Sequence, residues 1–496
     1  MKKLISILLA LILILSSFTI AFASEEDVEI KTCDCENIPI VYVPGFGAGI
    51  YLDPENDDRK AVYPPSASSI IKALPEALLA VFGVLTNNEN LFGKMAVRAG
   101  NKLLAELACD ENGNPIYNTS IDPFEYPEFD YHQIETDNVF VRSFDFEYDW
   151  RLSPLDNAHG LKDYIEHIKE LTGHETIMLM CHSQGNTVVA AYLELYGSEG
   201  IEKIAFLSPA YQGISILGSL FNKEADISDK ADQLLLFLKT VMGESKGTDV
   251  VSILVGMLNK SGLTDSLLNF LQKYLTSQFD LVFDECLKPS FGNLAGIWSF
   301  VPDEYFDNAV EIMFGENSDA PILEKIRYYH DNVQVKLADI LQETRDSGTQ
   351  VIICAGYNIS TIPVSLTPTV HSDFLIDTEY MSIGATCAPI GETFANDYVQ
   401  AVDCGHNHIS ADRCIDASTG AFPEYTWYFS GLNHNDMADA YASFLNVYFL
   451  SEEEMSVHTY EEYPQFMKIV DGNLVPVEEN EESEGILNFF KSILSF

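Results

Sequence analysis

A serine lies at the centre of the segment best suited to chemistry. Residues 177–180 form an apolar run long enough for a buried strand, and residues 187–193 carry apolar side chains at helical spacing. Between them, residues 181–185 read CHSQG, with Ser183 at the tip of the predicted turn. A serine hydroxyl becomes a nucleophile when a neighbouring base takes its proton. The pattern therefore predicts a strand, a tight turn and a helix that present Ser183 to a substrate.

A serine nucleophile needs an imidazole as base and a carboxylate that orients the imidazole. In α/β-hydrolases the three groups follow the chain order serine, acid, histidine. That order favours His434, which is predicted to lie between the last strand and the last helix of a sheet domain. Asp373 is the preferred acid, Asp377 is the reserve acid, and Asp403 is a weaker third candidate.

A glycine-rich turn early in the chain is suited to stabilising negative charge. The predicted strand at 38–43 runs into residues 44–49, which read PGFGAG. Glycine lets backbone N–H groups approach a substrate oxygen without a side-chain clash. We expect the N–H of Phe46, or of Gly47 one residue on, to form half of an oxyanion hole, and that of Gln184 to form the other half. The alternative is an ordinary glycine turn.

The remaining chain alternates predicted strands and helices, which favours a parallel sheet covered on both faces. Strands are predicted at 38–43, 139–146, 177–180, 204–207, 350–355 and 426–429, the last of these being the final strand, and helices at 66–85, 90–108, 156–171 and 436–450. Residues 212–347 break the alternation with apolar stretches of helical character. The predicted fold class is α/β, an α/β-hydrolase fold with a mostly parallel sheet and a large helical cap insertion. A separate helical domain is the alternative reading of the cap.

The N-terminal residues have the three parts of a secretory signal. Lys2 and Lys3 are followed by an apolar run at 4–15 and by an A-x-A cleavage site at 21–23. We therefore expect a secreted, extracellular protein; an uncleaved anchor is the alternative. The predicted divisions are a signal peptide (1–23), a first core part (24–211, with a helical insertion at about 65–108), a helical cap (212–347), a second core part (348–450) and an acidic tail with a short apolar helix (451–496).

The charge balance limits the partners. With 28 basic and 75 acidic residues, the formal net charge is −47. Phosphates of nucleic acid would be repelled, and docking on anionic membranes is disfavoured. The apolar face of residues 485–496 is suited to lipid or to the protein itself, and docking on the protein is favoured. Transient lipid contact through the cap or this helix stays open, as does the oligomeric state.

The cysteines and the remaining histidines suggest no cofactor. The chain has nine cysteines, of which Cys404 and Cys414 are spaced to close a small loop. His406 and His408 form an H-x-H pair that suits a metal, but a polar surface loop is the favoured reading. Zinc frameworks use two well-spaced ligand pairs, and the cysteine spacing supplies none. We therefore expect neither a cofactor nor a metal.

Six short segments carry a family resemblance. They are VPGFGAG (43–49), YDWRLSP (148–154), CHSQGN (181–186), LSPAYQG (207–213), SDFLID (372–377) and GLNHNDM (431–437). The chain resembles the lipase-like α/β-hydrolases that include lecithin:cholesterol acyltransferase and the lysosomal phospholipase, over about 38–54, 140–215 and 350–440. The resemblance implies a triad of Ser183, Asp373 and His434, an oxyanion hole from Phe46 and Gln184, and action on lipid esters. Cys181 and Phe374 stand where the family has glycine.

The predicted function is that of a secreted serine hydrolase that cleaves carboxylic esters of lipids, with acyl transfer to an alcohol as a further ability. One alternative is a non-catalytic hydrolase-like binding protein, suggested by the incomplete glycine pattern around Ser183 and by the acidity of the chain. Another alternative keeps the three residues but changes the bond, giving an amidase or a thioesterase. Chain-length preference depends on the cap, which the resemblance does not cover.

Overall fold

The computed structural model describes residues 38–56, 59–122, 139–141, 143–224, 274, 277–315, 317, 319–361, 370–434, 437–470 and 472–478. The predicted signal peptide and the helix predicted at 485–496 lie outside these residues. So do most of the apolar runs predicted within the cap.

A mostly parallel sheet of eight strands forms the centre of the described residues. In chain order the strands are β1 (Ile40–Val43), β2 (Ser143–Asp145), β3 (Ile177–His182), β4 (Ile201–Leu207), β5 (Gln350–Tyr357), β6 (Thr426–Ser430), β7 (Phe466–Val470) and β8 (Asn473–Pro476). Their order across the sheet is β8-β7-β6-β5-β4-β3-β1-β2. Neighbouring strands are parallel except for the β7–β8 pair. The carboxyl ends of β1 and β3–β6 therefore meet at one edge of the sheet.

Helices cover both faces of this sheet. They are α1 (Ala67–Leu85), α2 (Glu89–Leu104), α3 (Pro154–Thr172), α4 (Gly185–Tyr196), α5 (Ser215–Phe221), α6 (Lys288–Phe291), α7 (Ala295–Trp298), α8 (Asp303–Phe314), α9 (Pro321–Tyr328), α10 (Leu337–Asp346), α11 (Thr378–Met381) and α12 (Met437–Leu450). Side chains alternate between the two faces of a strand. In β3, Leu179 accordingly joins the core under α3 and α4, whereas Met180 joins the core under α12. Burial on both faces explains why β3 reads as a continuous apolar run.

Smaller elements complete the described chain. Short strands pair outside the main sheet at Ile50–Leu52, Lys60–Tyr63 and Thr119–Ser120, at Ile359–Ser360 with His371–Ser372, and at Thr386–Cys387 with Ile415–Asp416. Single helical turns lie at Ala105–Leu107, Phe283–Leu287, Tyr329–Gln334, Ala417–Thr419 and Pro423–Tyr425. No helix in the described part of the chain has the length and apolar character that a membrane crossing requires.

The predicted fold class is confirmed, and most predicted elements are present within a few residues of their expected bounds. The strand predicted at 139–146 is shorter, since only Ser143–Asp145 pairs with β1. The helical insertion is present as α1 and α2. In the described part of 212–347 the regular structure is helical, and Trp298 and Phe306 lie in the same core cluster as Val41 of β1. These cap helices therefore share one core with the sheet.

The prediction that residues 426–429 form the last strand was wrong. Residues assigned to an acidic tail form β7 and β8, which extend the sheet beyond β6. Both strands are short, and they lie between acidic stretches that masked their alternation. The Asp471-Gly472 pair is a hairpin signal, and Gly472 has a φ of 78°. That dipeptide between two β-rich runs was the sequence signal for this hairpin.

Cys404 and Cys414, whose spacing suits closure of a small loop, form no disulfide. Both are free thiols, as are the other cysteines of the described residues. Cys414 is buried, and its thiol contacts the backbone carbonyls of Glu392 and Asp412, whereas Cys404 is exposed. The sequence spacing of the two cysteines was therefore not a guide to their contact.

Adding a methyl group at Gly185 should disrupt the fold. A Cβ at this position would lie 2.1 Å from the carbonyl oxygen of Val43, so α4 and β1 would have to separate. We expect Gly185→Ala to lower the free energy of unfolding by about 3 kcal/mol or more. Gly160→Ala is the matched control because its Cβ would meet only Phe146, at 3.4 Å, within helix α3. The control should gain up to about 1 kcal/mol. Urea unfolding of both variants tests this, and equal effects would contradict it.

Candidate active site

Ser183 lies in a strained turn between β3 and α4. Its φ of 53° is in the left-handed region, which is costly for a residue with a Cβ. Two contacts hold this turn: the Ser183 N–H donates to the carbonyl of Leu207 at 3.1 Å, and the Asn186 amide donates to the carbonyl of Ser183 at 2.8 Å. The turn lifts the serine hydroxyl above the carboxyl edge of the sheet. The predicted strand, turn and helix are therefore present.

The packing around the turn shows that position 45 requires glycine and that position 181 does not. A Cβ at Gly45 would lie 2.7 Å from the Cβ of Ser183, so the loop after β1 packs directly against the serine. Cys181, in contrast, lies within β3 and pairs with Val43 and Phe206 on its two sides. Its buried thiol is 3.5 Å from the carbonyl of Ala205. A regular strand position requires no glycine, which accounts for the cysteine at this place.

Three polar side chains form a continuous hydrogen-bonded chain at this edge. Nε2 of His434 is 2.9 Å from Oγ of Ser183, and its Nδ1 is 2.7 Å from Oδ2 of Asp373. All three residues are buried, with relative exposures of 5% for Ser183, 3% for His434 and 0% for Asp373. The His434 N–H also donates to the carbonyl of Asp373 at 2.8 Å. These contacts orient the imidazole between a hydroxyl and a carboxylate.

Asp373 is held as an anion by its surroundings. Burial raises the pKa of Asp373, but the charge of His434 and hydrogen bonds from His434, Ile376 and Leu375 outweigh burial and keep the pKa below its ordinary value. The two N–H groups of Leu375 and Ile376 bind Oδ1 at 3.0 and 2.8 Å, which leaves Oδ2 for the imidazole. Phe374, where the resembling family has glycine, has a φ of 88°. The loop thus keeps a glycine-like conformation with a different residue.

The reserve acids lie elsewhere. The carboxylate of Asp377 accepts hydrogen bonds from the N–H and the hydroxyl of Ser215, at 2.9 and 2.8 Å, and so fastens the start of α5. Asp403 is exposed and accepts the N–H of Gly405 at 3.1 Å. Of the three aspartates, it is Asp373 that contacts His434.

Asp377 should make stability fall as pH rises from about 4 to 7. Burial raises the pKa of Asp377 to about 6 in the folded protein. An acid with a raised folded pKa favours folding below its unfolded pKa of about 3.9, and this contribution is lost as pH rises through about 6. Two pKa units correspond to about 3 kcal/mol. The asparagine of Asp377→Asn cannot ionise. The urea midpoint of this variant minus that of wild type should therefore increase from pH 4 to pH 7.

The exposed Asp307, whose side chain is 95% accessible, provides the control for this series. Asp307→Asn makes the same chemical change at an exposed position, so the difference between the two variants is assigned to the burial of Asp377. A constant difference between Asp377→Asn and wild type across the pH range would contradict the prediction.

Backbone N–H groups flank Ser183 on two sides. Gln184 precedes α4, and the first N–H groups of a helix have no intrahelical partner. The N–H groups of Phe46 and Gln184 are not donors in any backbone hydrogen bond of the described loops and turns. The Gln184 side chain donates to the carbonyls of Trp150 and Gly296, at 2.9 and 3.2 Å, and thereby anchors the turn to the cap.

Sequence reasoning assigned no individual role to the YDWR string, and the structure supplies one. The Tyr148 hydroxyl donates to the carbonyl of Pro44 at 2.9 Å, and the indole N–H of Trp150 donates to the carbonyl of Ala48 at 3.1 Å. The Phe46 ring packs on Trp150 with ring centroids 4.2 Å apart. Because these bonds fix the carbonyls of the 44–48 loop, they also fix the direction of its N–H groups.

The charged part of the string is a buried ion pair. Arg151 is fully buried and binds Asp149 through Nε at 2.9 Å and Nη2 at 2.7 Å. Two further guanidinium protons reach the hydroxyl and carbonyl of Thr119, at 2.9 and 3.0 Å. Four of the five guanidinium N–H groups are thus hydrogen-bonded, and a buried pair held in this way is weak evidence for added stability. It joins the loop before α3 to the small sheet near β1.

His182 is a neighbour of the hydrogen-bonded chain but not part of it. Its Nε2 is 3.2 Å from the carbonyl oxygen of His434, and the two ring centroids are 4.8 Å apart. Burial, together with the charge of His434, lowers the pKa of His182 to about 3. His182 is therefore neutral at ordinary pH and donates to the backbone of the histidine loop, which steadies His434.

The sheet order and the strand-turn-helix around Ser183 define an α/β-hydrolase fold. Within this class, residues 136–238 match the family model described as Lecithin:cholesterol acyltransferase, which confirms the resemblance. The matched region contains the YDWR string and Ser183, and Asp373 and His434 lie beyond it. A search of curated proteins finds no match.

One solved structure, described as the crystal structure of the Tle4-Tli4 complex, aligns with 83% of this chain and 97% of that chain. The sequence identity is 11% and the TM-score is 0.33. At this TM-score the alignment adds nothing to the fold assignment.

Proposed function

We propose that this protein is a secreted serine hydrolase that cleaves carboxylic esters of lipids. The observation that carries the proposal is the hydrogen-bonded chain from Ser183 through His434 to Asp373. The match of residues 136–238 to a family named for a lipid acyltransferase supports a lipid ester as the substrate class. The signal-like composition of residues 1–23 supports export.

In the proposed mechanism, Nε2 of His434 takes the proton of Ser183 as Oγ attacks the ester carbonyl. The resulting imidazolium is stabilised by Asp373, which stays ionised because its pKa is held low. His434 then returns the proton to the leaving alcohol as the carbon–oxygen bond breaks, leaving an acyl-enzyme on Ser183. Water, deprotonated by His434, attacks the acyl-enzyme and releases the carboxylic acid. An alcohol in place of water gives acyl transfer.

The oxyanion of the tetrahedral intermediate would be bound by the backbone N–H groups of Phe46 and Gln184. Donors that are already oriented before the reaction stabilise this charge without reorganisation cost. Tyr148 and Trp150 support this assignment because they hold the carbonyls on either side of Phe46. In this account they are positioning residues and do not touch the substrate.

The test is hydrolysis of p-nitrophenyl esters from acetate to palmitate by the mature protein, together with labelling by a fluorophosphonate probe. We expect labelling of Ser183 and turnover that rises with acyl chain length. Activity confined to acetate and butyrate would replace lipids by small esters as substrates. Absence of both labelling and turnover would favour a non-catalytic binding protein. Faster cleavage of a matched anilide or thioester would indicate an amidase or a thioesterase.

A further inference from the structure

Five side chains of residue types that can bind metals lie close together at the edge of the sheet opposite Ser183. We name them the histidine cluster: Cys404, His406, His408, Glu424 and His458. Glu424 comes just before β6, whereas His434 follows its carboxyl end. At roughly 3.3 Å per residue, the five-residue strand separates the two sites by about 15 Å or more. The histidine cluster is therefore distinct from the hydrolase site.

The cluster has the dimensions of a metal site. One ligand atom each of Cys404, His406, His408 and Glu424 lies within 4.8 Å of all the others. Oε1 of Glu424 is 3.0 Å from Nδ1 of His406 and 3.3 Å from Nε2 of His408. In a tetrahedral zinc site the bonds of about 2.0–2.3 Å put ligand atoms about 3.4 Å apart. Only a small contraction is needed to reach that geometry.

The surroundings of His408 point its lone pair into the cluster. The Gln465 amide NH₂ donates to the carbonyls of Pro423 and Thr426, so its Oε1 is the acceptor for Nδ1 of His408, at 2.7 Å. His408 is fully buried and, when neutral, carries its proton on Nδ1. Its Nε2 lone pair then faces the carboxylate of Glu424. Two acceptors 3.3 Å apart repel each other, and either a proton or a metal ion between them relieves that repulsion.

Glu424 is oriented in the same way. Its Oε2 is 2.8 Å from Nε2 of His458, which leaves Oε1 to face His406 and His408. A carboxylate or imidazole held by an outer partner is typical of metal ligands. Nε2 of His458, from the segment between α12 and β7, is bound to that outer oxygen, so we infer that His458 supports the ligand Glu424 and is not a fifth ligand.

We propose that Cys404, His406, His408 and Glu424 bind a structural zinc ion. A thiolate with two imidazoles and a carboxylate suits zinc, whereas magnesium and calcium prefer oxygen ligands alone. Four protein ligands close the coordination shell, which is typical of a structural site and not of a catalytic one. Binding would displace the thiol proton of Cys404 into solvent. The ion would fasten the loop around residues 404–408 to the start of β6. The spacing of the cysteines alone did not indicate this link.

The test measures the metal content of the purified mature protein and its titration with Co²⁺ in place of zinc. We expect one metal ion per chain and a sulfur-to-cobalt charge-transfer band, which reports a thiolate ligand. His406→Asn alters an exposed residue and should weaken metal binding more than about 100-fold. Removing a residue that only supports a ligand lowers metal affinity by about 10- to 100-fold. His159→Asn, an exposed histidine on α3, is the matched control and should bind like wild type.

Two further variants separate the roles within the cluster. Cys404→Ser should lose the charge-transfer band, and His458→Gln should keep the band but bind about 10- to 100-fold more weakly. Zinc should raise the melting temperature of wild type and of His159→Asn, and not that of His406→Asn. Circular dichroism verifies that each variant is folded.

The proposal is overturned if wild type binds less than one equivalent of Co²⁺, or if His406→Asn binds as tightly as His159→Asn. A charge-transfer band that survives in Cys404→Ser would overturn the ligand set. None of these measurements uses ester turnover, so failure of the proposed hydrolase function would leave the metal test intact.

Discussion

Replacing Ser183 with alanine should lower kcat for ester hydrolysis by at least about 10³-fold. The loss should reach about 10⁶-fold if the three groups act as a unit. The substitution removes the nucleophilic oxygen, which lies 2.9 Å from Nε2 of His434. The fold should persist, because alanine adopts the φ of 53° at a cost similar to that for serine. Only one neutral hydrogen bond is lost, so stability should change by no more than about 1.5 kcal/mol.

The measurement compares kcat and fluorophosphonate labelling of Ser183→Ala with those of wild type. Ser347→Ala serves as the control because Ser347 is exposed and precedes the amino end of β5, at the edge of the sheet opposite Ser183. The control should label and turn over like wild type. Turnover by Ser183→Ala within tenfold of wild type would rule out the proposed mechanism.

Replacing Asp373 with asparagine should lower kcat by about 10⁴-fold while leaving the site packed. The N–H groups of Leu375 and Ile376 hold one oxygen of Asp373, so an asparagine would keep its oxygen there and turn its NH₂ toward His434. That NH₂ is a donor, so Nδ1 of the imidazole would become the acceptor and Nε2 would carry the proton. A protonated Nε2 in the neutral ring has no lone pair to accept the proton of Ser183.

Asp377→Asn makes the same chemical change four residues away and is the matched control. Its carboxylate binds Ser215 at the start of α5 and does not contact His434. At 25 °C and neutral pH we expect kcat within about tenfold of wild type, although stability changes as argued above. If Asp377→Asn lost turnover while Asp373→Asn retained it, the acid would have to be reassigned.

The sequence alone predicted the features that depend on neighbouring residues. The apolar run before Ser183, the helical spacing after it and the glycines around it indicated the elbow, because strand, turn and helix each leave a local pattern. The chain order serine, acid, histidine reduced the eleven histidines to four, and the predicted loop between the last strand and the last helix then favoured His434. Both inferences needed no knowledge of which distant segments touch.

Features that depend on contacts between distant segments needed the tertiary structure. Asp373 and Asp377 lie in one loop and are both buried, and only the packing against His434 on one side and Ser215 on the other distinguishes them. The same holds for His406 and His408: their sequence is typical of a polar loop, and only the fold brings Glu424 and His458 beside them.

The sequence by itself therefore determined the elbow, the alternation of strands and helices, and the residue types able to do chemistry. The tertiary structure decided which acid contacts His434, that β7 and β8 extend the sheet, and that the side chains of the proposed metal site converge near β6. The physical reason is that local periodicity reflects which face of one element is buried. Ser183 and His434 are 251 residues apart, and they meet only because several helices and strands pack together at once.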